Sequence, residues 1–105
     1  MPYVIREYVE GERSPFSMWF ARLDAVAAAR VDRYIRRLEA GNFGAARFVR
    51  DGVFELRMDF GPGYRVYYGR DGRTLVILLG GGDKRRQEQD IAAAVACWKR
   101  YQEMR

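Results

Sequence analysis

Residues Gly52–Asp83, GVFELRMDFGPGYRVYYGRDGRTLVILLGGGD, are the stretch whose reading decides the fold. Phe54, Leu56, Met58 and Phe60 alternate with Glu55, Arg57 and Asp59, the period of a half-buried strand over 53–60. Gly61-Pro62-Gly63 is a turn signal. In the next strand, 64–68, Tyr64, Val66 and Tyr68 face one side, and Arg65 and Tyr67 the other. Asp71-Gly72 reads as a type I′ hairpin turn. Residues 74–79, TLVILL, are apolar on both faces and read as the central strand. Gly80-Gly81-Gly82 is expected to leave the sheet, and Asp83 to cap a closing helix.

Working outward, residues 3–9 (YVIREYV) are rich in β-formers and predict a first strand. Ser14-Pro15 predicts a helix start, with Ser as N-cap and Pro at the first helical position. Phe16, Trp19, Phe20 and Leu23 follow at helical spacing, a stripe that reads as core rather than as a base-stacking surface. Asp24 predicts the cap of a second helix over 25–40, buried through Val31, Tyr34, Ile35 and Leu38. Arg30, Arg33, Arg36 and Arg37 fall mostly on its other face. Gly41-Asn42 predicts a left-handed C-cap, and Arg47–Arg50 a short strand ending at an Asp51-Gly52 turn. In the closing helix Ile91, Ala94, Val95, Trp98 and Tyr101 share the side that must dock. The expected order is β-α-α-β-β-β-β-α. It describes a single α+β domain over 1–105, a small antiparallel-rich sheet packed by an N-terminal helical hairpin and a C-terminal helix.

Composition narrows the chemistry. The 105 residues suffice for a core without disulfides or a metal. The one cysteine, Cys97, permits no internal disulfide, and there is no histidine. Ser-His and Cys-His nucleophilic catalysis and His-ligated metal sites are therefore excluded. With no signal peptide and no apolar run of membrane length, a cytoplasmic protein with no membrane association is expected. The formal net charge is +5, and of the 19 basic residues only Lys84 and Lys99 are lysine. Arginine forks suit nucleic acid or an acidic partner. A composition bias of the genome accounts for them equally well.

Arg57 and Arg65 lie on the polar faces of adjacent strands. If the hairpin pairs as read, Tyr67 joins them, with Arg47 or Arg50 approaching from the neighbouring strand and Lys84 from the helix start. Such a face can hold a phosphodiester and stack a base. Cross-strand ion pairs among Glu55, Arg57, Asp59 and Arg65 explain the same residues, and on spacing alone that reading is preferred. Glu55 and Asp59 are roughly 13 Å apart along a strand, too far to share one Mg²⁺ unaided, so no metal and no cofactor is expected. Gly80–Lys84 lacks the Walker spacing and reads first as a strand-to-helix exit.

The string Glu55-Leu56-Arg57, Gly61-Pro62-Gly63-Tyr64-Arg65-Val66-Tyr67-Tyr68, Leu78–Lys84 and Gln89-Asp90-Ile91 resembles the RelE/ParE toxin superfamily. Within it the likeness is strongest to HigB-like or phage Gp49-like addiction-module killer proteins. The resemblance implies a RelE-like microdomain and the toxin half of a type II toxin–antitoxin system. The implied partner is a helix-turn-helix antitoxin, through which alone the toxin would meet operator DNA. The implied activity is ribosome-dependent, metal-free mRNA cleavage, in which the RNA 2′-OH attacks its own phosphate. Carried over by position, Arg65 would bind the scissile phosphate, with Arg57, Tyr67 and Lys84 as further catalytic candidates. Arg47, Arg50 and Arg85 would be RNA contacts. The general base stays open between Tyr67 and Lys84. A ParE-like gyrase inhibitor without nuclease activity, and a decayed toxin acting only as antitoxin-bound co-repressor, are the alternatives.

Overall fold

The computed structural model describes residues 2–105. Its order is β1 (Val4–Glu7), α1 (Pro15–Phe20), α2 (Ala25–Glu39), β2 (Ala46–Arg50), β3 (Val53–Arg57), β4 (Arg65–Asp71), β5 (Leu75–Gly82) and α3 (Gln87–Met104). A short 3₁₀ turn, Lys84–Arg86, leads into α3. The five strands form one sheet in the order β1-β5-β4-β3-β2. β1 runs parallel to β5, and every other pairing is antiparallel. The expected α+β architecture is the one observed.

The helix caps form where the sequence puts them. Ser14 Oγ accepts from the Ser17 N–H at 3.1 Å, and Asp24 Oδ1 from the Ala27 N–H at 2.9 Å. Each satisfies an amide that a helix N-terminus leaves open. Gly41 takes a φ of +93° after α2, the left-handed cap that lets the chain reverse.

The period-2 alternation sorts side chains into two cores. Leu56, Met58, Val66, Tyr68, Val76 and Leu78 meet Phe16, Val31, Ile35 and Leu38 of α1 and α2 on one face. Val53, Tyr67, Ile77 and Leu79 meet Tyr8 and the Ile91, Ala94, Cys97 and Trp98 side chains of α3 on the other. Trp98 needs room over the strands. A Cβ on Gly69 would lie 2.4 Å from its ring, so only glycine fits beneath it. No helix is long and apolar enough to cross a membrane among the described residues.

Four expectations are corrected. The triple glycine does not leave the sheet: Gly80, Gly81 and Gly82 pair with Tyr67, Val66 and Arg65. They lengthen β5 and admit side chains from above, since a Cβ on Gly81 would fall 2.2 Å from Trp19, and one on Gly82 2.0 Å from Asp90. β5 is buried on both faces but is not central, because β1 adds beyond it and β4 takes the middle. The positive-φ pair of a type I′ turn belongs to Asp51-Gly52, at +51° and +85°. At Asp71-Gly72 only Gly72 has positive φ, and the connection runs over residues 72–74. Finally, β3 ends at Arg57 rather than Phe60, although the Met58 N–H still donates to Tyr64 O at 3.0 Å. Beyond it the chain turns back through Gly61 and Gly63, both at positive φ.

Candidate functional site

The face of the sheet beneath α3 is only partly covered. Its far end carries Glu55 and Arg57 on β3 and Arg65 on β4. Arg57 and Arg65 are direct cross-strand partners, as are Glu55 and Tyr67. Two arginines opposite each other repel unless something lies between them. Glu55 supplies the compensation. It is fully buried, its Oε2 accepts from Arg47 Nε at 2.8 Å, and its Oε1 lies 3.5 Å from Arg65 Nε.

Arg65 is held at its other end too, where Nη1 donates to Gly63 O at 2.7 Å. The Gly61-Pro62-Gly63 turn makes this possible. Gly63, at a φ of +78°, brings its backbone against Arg65 and Lys84; a Cβ there would lie 3.3 Å from Arg65 Nη1 and 3.4 Å from Lys84 Cβ. The Lys84 N–H donates back to Pro62 O at 3.3 Å, tying the turn to the exit from β5. Between turn and strands lies a cleft of about 490 Å³, lined by Arg57, Asp59, Phe60, Gly63, Arg65 and Lys84 among others. Three cations face one carboxylate, an arrangement suited to an anion. Arg57 and Lys84 are exposed at its rim, while Arg65 is only 2% exposed.

The other candidates lie differently. Arg47 reaches the site through Glu55. Arg50 is engaged by Glu88 of α3 at 3.0 Å, and Arg85 by Asp83 at 3.0 Å. That contact holds the Asp83 carboxyl below its ordinary range and raises Arg85. Neither Arg50 nor Arg85 lines the cleft. Tyr67 is on the expected face but lies in the α3 core, wholly buried, and its hydroxyl has no partner. Desolvation and then the Glu55 charge push its phenol well above the usual value, opposite to what a general base needs. With no exposed ring, Tyr67 cannot stack a base.

Glu55 is the residue that spacing undervalues. It reads as an ordinary ion-pair partner or as one arm of a metal site. In the structure it is the buried carboxylate between two guanidinium groups. The signal for it is a polar residue flanked by Phe54 and Leu56 and sharing a face with Val53. No group of three or more Cys, Asp or Glu is arranged to hold a metal ion among the described residues.

This α+β fold has a solved counterpart of RelE type. The chain is similar to one in the RelBE2 toxin–antitoxin complex from Mycobacterium tuberculosis, with a TM-score of 0.64 and 20% identity, over 80% of this chain and 100% of that one. The sequence narrows the assignment further. Residues 18–101 match the model of the phage-derived Gp49-like proteins, and the chain belongs to that family. It is also 49% identical over 80 residues to an uncharacterized protein of Haemophilus influenzae, spanning 75% of this chain and 81% of that protein.

Proposed function

We propose that the protein is the toxin of a toxin–antitoxin pair and that it cuts messenger RNA on the ribosome. One observation carries the reading: on the floor of a cleft shared with Arg57 and Lys84, buried Arg65 donates Nη1 to Gly63 O and has its Nε 3.5 Å from the Glu55 carboxylate. A buried guanidinium anchored at Nη1 and paired in charge with a buried carboxylate is oriented for charge that develops on a phosphoryl group. The likeness to a chain of a toxin–antitoxin complex supports an antitoxin as partner.

In the reaction the RNA 2′-oxygen attacks the adjacent phosphorus. The O2′–P bond forms and the P–O5′ bond breaks, leaving a 2′,3′-cyclic phosphate and a 5′-hydroxyl. Arg65 and Arg57 hold the non-bridging oxygens and stabilise the pentacoordinate phosphorus. Alignment of the 2′-oxygen is supplied by the ribosome. The 2′-OH gives up one proton and the departing O5′ takes up another, and arginines, which stay protonated, exchange neither. Lys84 and Asp59 are the proton-exchanging side chains that line the cleft.

The test is induced expression in a heterologous host. The reading predicts arrested translation and messages cut at codon boundaries, with the arrest abolished by Arg65→Ala. Double-strand DNA breaks with messages intact would instead mark a gyrase poison.

A further inference from the structure

A second cleft, of about 520 Å³, opens across the Gly61–Gly63 turn, and Pro62 lines both. Its walls are aromatic. Trp19 and Tyr64 meet edge to face with ring centroids 6.1 Å apart, and Tyr64 is backed by Phe60 at 5.5 Å. Both rings are half-buried. Trp19 rests directly on Gly81, where a Cβ would stand 2.2 Å from its ring, so β5 itself fixes the indole. Arg22, Arg85 and Arg86 complete the rim. Arg85 is braced by Asp83 and Arg86 by Gln89, at 3.0 and 2.9 Å. Arg22 is exposed, and its guanidinium makes no ion pair or hydrogen bond among the described residues. Asp90, half-buried against Gly82, leaves an acceptor at the inner end, where burial raises its carboxyl.

Aromatic rings beside guanidinium groups, including that of Arg22 with no partner among the described residues, are what single-stranded nucleic acid needs, the ring for the base and the cation for the phosphate. Asp90 lines the same cleft, and a carboxylate there can accept from an exocyclic amino group. The position fits as well, since a strand whose phosphate occupies the Arg65 cleft crosses only the Pro62 ridge to enter the second. We propose that this cleft is a nucleotide subsite of the toxin. It seats the base next to the scissile phosphate against Trp19 and Tyr64, and it holds that nucleotide's phosphate with Arg22. The inference rests on the RNA reading above and extends it from a cut phosphate to a bound strand.

Trp98 is buried, so tryptophan emission quenched by a ligand reports Trp19. The probe is a short single-stranded oligoribonucleotide with 2′-O-methyl groups, which this chemistry cannot cut. The subsite predicts saturable quenching in the wild type and a dissociation constant about tenfold weaker in Arg22→Glu. It also predicts that Trp19→Phe, which keeps an aromatic ring on Gly81, loses the signal while retaining binding of a 3′-labelled oligonucleotide by anisotropy. Emission unmoved at saturating oligonucleotide, or equal affinity in Arg22→Glu and wild type, overturns the subsite. The two readings fail separately. Quenching that weakens in Arg22→Glu, in a protein that leaves messages uncut, upholds the subsite and overturns the nuclease. Cut messages with Trp19 emission unmoved do the reverse.

Discussion

Tyr67 and Glu55 face each other across β3 and β4, and neither does what its residue type suggests. Tyr67 carries a reactive-looking hydroxyl in a basic face, yet it is sealed under α3 with that hydroxyl unpartnered. A buried donor without an acceptor costs about 1–3 kcal/mol. Tyr67→Phe is therefore expected to leave toxicity intact and to keep or raise the melting temperature. Loss of toxicity in a folded Tyr67→Phe protein would return the hydroxyl to the chemistry. Glu55 has the opposite character. Removing it strands the charge of Arg65, whose side chain is 3% exposed. Breaking such a buried pair from one side costs about 3–5 kcal/mol. Glu55→Ala should lower the denaturant midpoint accordingly, and Glu55→Ala/Arg65→Met should recover part of the loss. An additive double mutant would mean that the two side chains do not compensate each other.

At the scale of elements, the glycines of β4 and β5 are packing devices. Gly69 accepts the Trp98 ring and Gly81 the Trp19 ring, so strand and helix approach more closely than a Cβ allows. Gly69→Ala places a methyl inside the indole, and overpacking of this kind costs about 1–3 kcal/mol or more. Thermal melting should show a clear drop for Gly69→Ala and for Gly81→Ala, and an unchanged transition would refute the close fit. These contacts also explain what the sequence hid. Alternation in residues 53–60 and 64–68 assigns the two faces correctly, and Ser14-Pro15 and Asp24 place both helix starts, because those signals are local. Gly80–Gly82 reads as a strand exit because the reason for Gly81 is Trp19, more than sixty positions away, and the reason for Gly82 is Asp90 on the next helix. Trp19 packs against the Phe16 core as its stripe implies, and its half-buried ring also lines a cleft, which helical spacing does not reveal. Of the candidate site, strand alternation and the helix start put Arg57, Arg65 and Lys84 near one another, but spacing alone favours ion pairs, and only the family resemblance singles them out. Which of the remaining arginines joins them is not legible. Arg85 is drawn off by Asp83 two positions before it, and Arg50 by Glu88, a pair that only tertiary structure brings together.

Over the whole molecule, charge and burial set the pH range of the fold. The Glu10 carboxyl is held low by hydrogen bonds from Tyr8 and then Arg100, and Asp83 by Arg85. A carboxyl lowered by folding adds stability above its unfolded value, and the contribution is lost as pH falls through the folded one. Acid should thus weaken the protein below the ordinary carboxylate range. Arg100→Gln should soften that dependence, and added salt should too. The alkaline limb has the other sign. Burial raises Tyr68 from 10.0 to about 12, so its contribution is present below pH 10 and fades as pH climbs toward the folded value. Melting followed by circular dichroism across pH measures both limbs. A melting temperature still flat beyond the tyrosine range would contradict the burial of Tyr67 and Tyr68.

The central claim is that a fixed Arg65 makes this basic cleft an RNA-cutting centre. The most direct measurement is the chemistry of the ends left on messages after brief induction, wild type against Arg65→Ala, with both proteins shown to be folded. The claim predicts 2′,3′-cyclic phosphates and 5′-hydroxyls at new cuts at codon boundaries in the wild type, and none in the variant. Arrested growth with intact messages, or equal cutting by Arg65→Ala, would contradict it.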